Sequence, residues 1–474
     1  MAGEWCFRLS KRSAVYVVNG QTERSVSDRL LILSGRVVEE PNELDSLQDS
    51  AEIVRVLMER SGAWSLVYYR PDLNSVFMGR DVFGRLSLVF AVDGNDIIIS
   101  DVVQSVGCTR WSEVPYAQVC LIDGETRRAV CTSYLPVYPD GVLEPWAEIF
   151  SSFTLEYSPV KDDLLKMSHE ISCTISDIED VFLDRLVDAT CSMLPCGASS
   201  AALAFSGGVD SLLVAVALHM AYPLGETIDL VNVAFYRGSE HRSIVTDRQR
   251  ATSGLLFLRS KYPERQWRLI LADVTKEELE KNRSERIVKA AAPALSVLDE
   301  SLACVLWFAL RGEGKDYDDG GEVRSEAGVY FVGSGADELF AGYARHRTRF
   351  ERDGAKSIQE ECEAELMRLG SRNGGRDARV AAVLRKELRA PFLHDEFVSW
   401  VNTIPMSLKC DLTLPRGVGE KMIIRKVLAS LGAPHDAPKQ AMQFGSGFVK
   451  MQNNKALKGS DVSRHLMGSQ RSAP

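Results

Sequence analysis

A chain of 474 residues, 45% apolar and 26% charged, is long enough for more than one hydrophobic core, so two domains of an ordinary globular protein are expected. Its net charge of -9 argues against nucleic-acid binding, which needs a basic face, and no apolar run reaches the length of a membrane span. Met1 to Arg12 lacks the apolar core of a secretory signal, and ten scattered cysteines without a C-x-x-C pair are expected to stay reduced in a cytoplasmic protein.

The first third reads as β-rich. Short β-branched or aromatic runs at Ala14 to Val18, Leu30 to Leu33, Trp64 to Tyr69, Ser75 to Met78, Leu86 to Val92 and Ile97 to Ile99 are separated by turn formers such as Asp93-Gly94-Asn95. Ala51 to Arg60 has the spacing of a helix with Ile53, Val54 and Leu57 on one face. This gives a β-layered first domain over residues 1–140 and a connection over 141–177.

A second domain over 178–450 opens with an amphipathic helix, Ile178 to Met193. Apolar strands at Ala201 to Phe205, Ile228 to Phe235, Trp267 to Val274 and Val329 to Gly333 then alternate with helical segments at Ser211 to Tyr222, Asp247 to Lys261, Lys276 to Ala291 and Leu295 to Arg311. Alternation of this kind gives βαβ units and a doubly wound parallel sheet, with ligands bound where the strands' C-terminal ends share one edge. Arg311 to Gly328 reads as a mobile polar loop. The chain after Glu338 reads as helical, through Ile358 to Gly370, Ala378 to Glu387 and Gly419 to Leu431, and 451–474 as a polar tail.

Two loops carry chemistry. Phe205-Ser206-Gly207-Gly208-Val209-Asp210-Ser211 runs from strand to helix; its backbone N–H groups and hydroxyls suit an anion, and Asp210 suits Mg²⁺. It has no lysine and does not fit G-x-x-x-x-G-K-[ST], and taken alone it is also compatible with an ordinary glycine-containing turn. Gly333-Ser334-Gly335-Ala336-Asp337-Glu338 repeats the arrangement at the same sheet edge, where Asp337 is placed to share a cation with Asp210; the bland reading is that its acids complement a helix dipole.

The first loop resembles the pyrophosphate loop of N-type ATP pyrophosphatases. Together with Gly333 to Tyr343 (GSGADELFAGY), Glu387 to Leu393 (ELRAPFL), Leu414 to Arg425 (LPRGVGEKMIIR) and Pro438 to Gly445 (PKQAMQFG), it resembles the asparagine synthetase family along nearly the whole chain. Gly62 to Tyr69 (GAWSLVYY) and Arg80 to Leu88 (RDVFGRLSL) resemble that family's class II glutamine amidotransferase domain, an Ntn-hydrolase-like sandwich of two β-sheets between helices. The resemblance implies an ATP-dependent ligase. It adenylates an aspartate-like carboxylate with release of pyrophosphate, then transfers it to ammonia taken free or from glutamine. By resemblance Ser206, Gly207, Gly208 and Ser211 hold pyrophosphate, Asp210 and Asp337 hold Mg²⁺, and Phe205, Val233, Val332, Gly333 and Gly335 bound the nucleotide. Lys421 touches phosphate, and Lys439 stabilises the adenylate and the amide-forming transition state.

Three departures follow. The family's glutaminase uses an N-terminal cysteine whose α-amine is the base, whereas here residue 2 is Ala2 and the first cysteine, Cys6, is internal; a different start is the alternative. The oxyanion Asn-Gly and following Glu are Ser34-Gly35 and Arg36, although Asp49, expected to hold the glutamine amine, is kept; an oxyanion donor lost costs about a hundredfold or more in rate. The glutamate expected as base toward ammonia is Ser334, which leaves Glu338 or Asp299 as substitutes. Asp299-Glu300-Ser301 fits a place beside the substrate and a helix cap equally well, and the basic run Arg345, His346, Arg347 and Arg349 fits a solvated face better than a nucleotide contact. These losses also fit a nucleotide-binding pseudoenzyme whose first domain serves a protein partner.

Overall fold

The computed structural model describes residues 5–10, 14–18, 24–26, 29–34, 36–38, 43–104, 110–168, 174–194, 200–236, 245–294 and 296–452. Ala2, Gly35, His241 and nearly all of the polar tail lie outside these, as does the Arg36 side chain.

Thirteen described strands precede residue 160: β1 (Trp5–Leu9), β2 (Ala14–Val18), β3 (Arg24–Val26), β4 (Leu30–Leu33), β5 (Arg36–Val38), β6 (Ser65–Arg70), β7 (Ser75–Arg80), β8 (Val89–Asp93), β9 (Asp96–Ser100), β10 (Ser112–Glu113), β11 (Gln118–Asp123), β12 (Arg128–Ser133) and β13 (Ser152–Tyr157). They form a six-stranded sheet, β10-β8-β9-β1-β2-β3, and a seven-stranded sheet, β13-β12-β11-β7-β6-β4-β5. Alternation along β6 explains the stacking. Val67 joins Phe7, Val76, Met78 and Ile99 in the core between the sheets, while Leu66 and Tyr68 face Ile53 and Leu57 of the helix Ser50–Glu59 on the other side. The stretch read as a connection holds β13, which pairs in parallel with β12, and Trp146, fully buried in the sandwich core.

Cys120 and Cys131 face each other directly across β11 and β12, with Cα atoms 4.0 Å apart, and are joined as a disulfide. The expectation of reduced thiols throughout is therefore corrected at this pair. The two are eleven positions apart in sequence, and only strand register brings them together.

The third sheet has the order β18-β17-β16-β15-β14-β19-β20, from β14 (Ala201–Ala204), β15 (Ile228–Phe235), β16 (Trp267–Val274), β17 (Glu313–Asp316), β18 (Glu322–Arg324), β19 (Val329–Phe331) and β20 (Glu387–Arg389). β16, β15, β14, β19 and β20 run parallel. All eight residues of β15 are buried, as a strand covered on both faces requires. The segment expected to be a mobile loop is instead the hairpin β17–β18, added antiparallel to β16. Its polar, glycine-containing sequence hides the strands because backbone pairing, not an apolar face, holds them. A Cβ on Gly314 would lie 2.5 Å from the Leu271 carbonyl oxygen.

A buried polar seam joins the two halves. Arg85, in ion pairs with Asp81 (2.8 Å) and Asp395 (2.7 Å), also donates to the Leu393 carbonyl, and Arg379 meets Glu113 at 2.6 Å. Gly374 packs so closely on Gly84 that a Cβ would lie 2.1 Å from the Gly84 oxygen. The motif residues 80–88 and 387–393 thus meet across this seam.

Candidate functional site

The parallel sheet turns around β14: β15 and β16 lie on one side, β19 and β20 on the other. At such a switch point the loops leaving β14 and β19 diverge and open a crevice at the strands' C-terminal ends. After β14 comes Phe205 to Gly208, then the helix Val209–Ala221, whose first turn carries Asp210. After β19 come Val332 to Gly335 and the short helix Ala336–Leu339, whose first turn carries Asp337 and Glu338.

The loops pack without slack. Gly207 has φ +70°, and a Cβ there would lie 2.2 Å from the Arg250 backbone in the helix Thr246–Lys261. A Cβ on Gly333 would come within 2.8 Å of the Asp210 Cβ, so the two predicted loops are in direct contact. Gly335, at φ +98°, lies against Leu393.

Asp210 and Asp337 converge on two lysines. Lys421 Nζ is 2.6 Å from Asp210 Oδ2 and 2.7 Å from Asp337 Oδ1. Lys439 Nζ pairs with Asp337 Oδ2 and lies 3.9 Å from Asp210 Oδ2. Lys421 is fully buried in the left-handed region (φ 55°), a backbone cost that its surroundings must offset. Burial opposes charge on Asp337, yet Lys421 and then Lys439 hold its carboxyl well below the usual carboxylate range. Burial likewise opposes charge on Lys439, and Asp337 followed by Asp210 holds the ammonium above the usual lysine range. Two carboxylates against two ammoniums leave this cluster near neutral.

The hydroxyls expected to bind pyrophosphate are turned onto their own loop. Ser206 Oγ accepts from Gly208 N–H at 3.3 Å and lies 3.3 Å from Ser211 Oγ, which donates to the Gly208 carbonyl. Phe205 is engaged in the sheet edge, its N–H donating to the Val231 carbonyl at 2.8 Å and its carbonyl accepting from Asn232 Nδ2 at 2.8 Å. Val332 N–H is likewise taken by the Arg389 carbonyl, and Val233 is buried in β15.

Mg²⁺ fits the pair of acids on a specific ground. Asp210 Oδ1 is buried and has no hydrogen-bond partner among the described residues. Mg²⁺ characteristically takes one or two carboxylates and completes its shell with waters and phosphate oxygens.

Other expectations resolve locally. Glu338 is buried and accepts from Tyr343 Oη at 2.5 Å, and burial followed by Asp337 pushes its carboxyl up. Asp299 lines a cavity of about 240 Å³ between the two halves, but Ser296 caps the helix Val297–Arg311 with it and Arg376 pairs with it at 2.6 Å. Arg345 and Arg349 pair with Glu365 and Glu361, while Arg347 lies 3.5 Å from Glu420, so the basic run braces helices. Cys6 sits inside β1, opposite Val17 on one side and Ser100 on the other. Ser34 N–H donates to the Ser65 carbonyl at 2.7 Å, and the Asp49 carboxylate accepts from Ala51 N–H as the cap of Ser50–Glu59.

Sequence reasoning did not single out Gly342, Arg250 or Asp247. A Cβ on Gly342 would lie 2.1 Å from both Asp337 Oδ1 and Lys421 Cε, so only glycine leaves room for that pair. Arg250 donates to the Pro438 carbonyl at 3.0 Å and steadies the segment carrying Lys439. The acid of a helix first turn looks in sequence like a dipole partner, which hides Asp247.

Comparison with known proteins gives the family of the chain. An asparagine synthase family model matches residues 183–385, which include both glycine loops but neither Lys421 nor Lys439. Asparagine synthetase domain-containing protein 1 of Mus musculus is 33% identical over 88% of this chain and 83% of its own length. The Homo sapiens protein of that name is 30% identical over 88% and 82%. The chain belongs to the asparagine synthetase domain-containing protein 1 family. Among solved structures, the glutamine phosphoribosylpyrophosphate amidotransferase of B. subtilis aligns over 57% of this chain and 75% of its own, with 11% identity and a TM-score of 0.18, too weak to bear on the fold. Members of the asparagine synthase family use ATP. No helix among the described residues is long and apolar enough to cross a membrane.

Proposed function

We propose that the chain is an ATP-dependent amide ligase of the asparagine synthetase class. It joins the carboxylate of an aspartate-like amino acid to AMP, releases pyrophosphate, and passes the acyl group to ammonia. One observation carries this reading: two loops from adjacent parallel strands bring Asp210 and Asp337 onto shared lysines, leaving one buried carboxylate oxygen without a partner. The Ser206–Ser211 loop and its helix N-terminus would cradle pyrophosphate, with Lys421 and Lys439 turning from carboxylate to phosphate oxygens. Asp210 and Asp337 would hold Mg²⁺, which supplies charge neutralisation when bound. Adenylation is then a matter of positioning and charge, which these residues provide.

The first half, residues 1–140 with β13 completing its sheet, is taken as an Ntn-hydrolase-like glutaminase domain with impaired hydrolysis. The support is Cys6 within a paired strand and the Ser34 N–H already spent on Ser65. Ammonia is the expected nitrogen donor. The test is pyrophosphate release by purified protein given Mg²⁺-ATP and aspartate, with ammonium or with glutamine. No release under any nitrogen supply refutes the ligase. ATP binding without turnover would instead favour the pseudoenzyme reading, which Ser334 in place of a base supports.

A further inference from the structure

Amide formation needs a proton acceptor, and Ser334 cannot be one at neutral pH. The carboxylates described above are nearly all occupied: Asp210 and Asp337 by lysines, Glu338 by Tyr343, Asp299 by Arg376. Asp247 is the exception. It lies in the first turn of the helix Thr246–Lys261, 5% exposed, outside the ion pairs by which Lys421 and Lys439 hold Asp210 and Asp337. Its ion pair, to Arg250 Nη1, is at the long distance of 3.9 Å. A carboxylate this buried, with a single distant ion pair, favours taking a proton.

Its position is fixed from three sides. Asn232 Nδ2 donates to both the Phe205 and the Asp247 carbonyls, tying Asp247 to the start of the pyrophosphate loop. The next helical turn packs on Gly207. Gly445, six residues after Lys439, covers the carboxylate, where a Cβ would lie 2.2 Å from Oδ1. The charged groups facing Asp247 are Arg250 from its own helix and Lys439 from the covering segment; Arg248 turns away to Asp273 and Asn232. Lys439 is also the group that pairs with Asp337, so Asp247 is placed in the field of the reacting centre.

We propose that Asp247 takes the proton of the incoming nitrogen during amide formation, in the place left open by Ser334. This rests on the ligase reading above. As neutral ammonia attacks the acyl carbon, the N–C bond forms and the C–O bond to phosphate breaks, its electron pair leaving on AMP. One N–H proton passes to an Asp247 oxygen and from there to solvent. Burial pushes the Asp247 carboxyl up to about 7, with Arg250 and Lys439 opposing, a value suited to a base at neutral pH.

The test separates the two half-reactions of the full chain over a pH series. These are aspartate-dependent ATP–pyrophosphate exchange and ammonia-dependent amide formation. With rates referred to free NH3, so that titration of ammonium itself drops out, Asp247→Asn is expected to leave exchange within about twofold, to slow amide formation about a hundredfold and to abolish the remaining acidic limb of its pH profile. Asp247→Glu is expected to restore part of the rate with a displaced limb. Equal loss in both half-reactions, or an unchanged amide rate and limb, overturns the proposal. Should Asp247→Asn fail to fold, Asp247→Glu decides alone, an unmoved limb being the refutation. A wild-type chain without exchange refutes the ligase reading itself and the proton acceptor with it, a result distinct from normal exchange with an indifferent Asp247.

Discussion

Replacing Lys421 with methionine removes the ammonium between Asp210 (2.6 Å) and Asp337 (2.7 Å) while keeping the length of the side chain. Lys421 is wholly buried, and the two carboxylates expose only 16% and 13% of their side chains, so water cannot take its place. Removing one partner of a buried ion pair costs about 3–5 kcal/mol. Lys439 remains to balance one of the two acids, which favours the lower end, about 3 kcal/mol. At about 2–4 °C per kcal/mol for a unit of this size, the unfolding midpoint is expected to fall by roughly 6–12 °C. The pH dependence has a definite sign. A carboxylate held below its ordinary value, as Asp337 is despite burial, contributes stability above about pH 4 and loses it as pH falls through the folded value. The gap between wild type and Lys421→Met should therefore be widest near pH 7.5 and narrow on acidification. Adding Asp337→Asn should recover part of the loss, because the second change removes the stranded charge. Calorimetry or intrinsic fluorescence at pH 7.5 and at about pH 2.5, inside the window where the contribution is being lost, measures this. A midpoint shift below about 2 °C, or a gap that widens toward acid, refutes the view of Lys421 as the buried keystone of the site.

Gly342→Ala should abolish ATP-dependent pyrophosphate release while leaving the chain folded, since its Cβ would displace Asp337 or Lys421 from 2.1 Å; activity within threefold of wild type contradicts this. Arg85→Met strands Asp81 and Asp395 in the seam and should cost about 3–5 kcal/mol, read by urea unfolding. Burial opposes charge on Asp395 but Arg85 holds its carboxyl low, so this loss too should shrink below about pH 4. Cys6→Ala should leave ammonia-dependent turnover and the level of glutamine hydrolysis unchanged, measured as glutamate release; a fall in glutamate would show a working nucleophile.

The sequence by itself determined the parallel βαβ order, because strands such as Ile228–Phe235 and Trp267–Val274 are short, mainly apolar segments that alternate with longer helical ones. It also placed Asp210 and Asp337 at the same sheet edge, since right-handed crossovers align the strands' C-terminal ends. What it did not determine rests on contacts between distant segments. The hairpin β17–β18 is held by backbone pairing and carries no apolar periodicity. The Cys120–Cys131 pair depends on register, and β13 depends on a neighbour that its own residues do not name. Lys421 and Lys439 stand out in the sequence by resemblance alone, and the fold carries them roughly two hundred and one hundred residues back, onto Asp210 and Asp337. The glycine loops could be recognised from sequence because a tight turn needs particular residues locally. The charge balance inside the crevice, and the sparsely paired Asp247 beside it, were decided by tertiary packing alone, because burial and pairing are properties of neighbours in space.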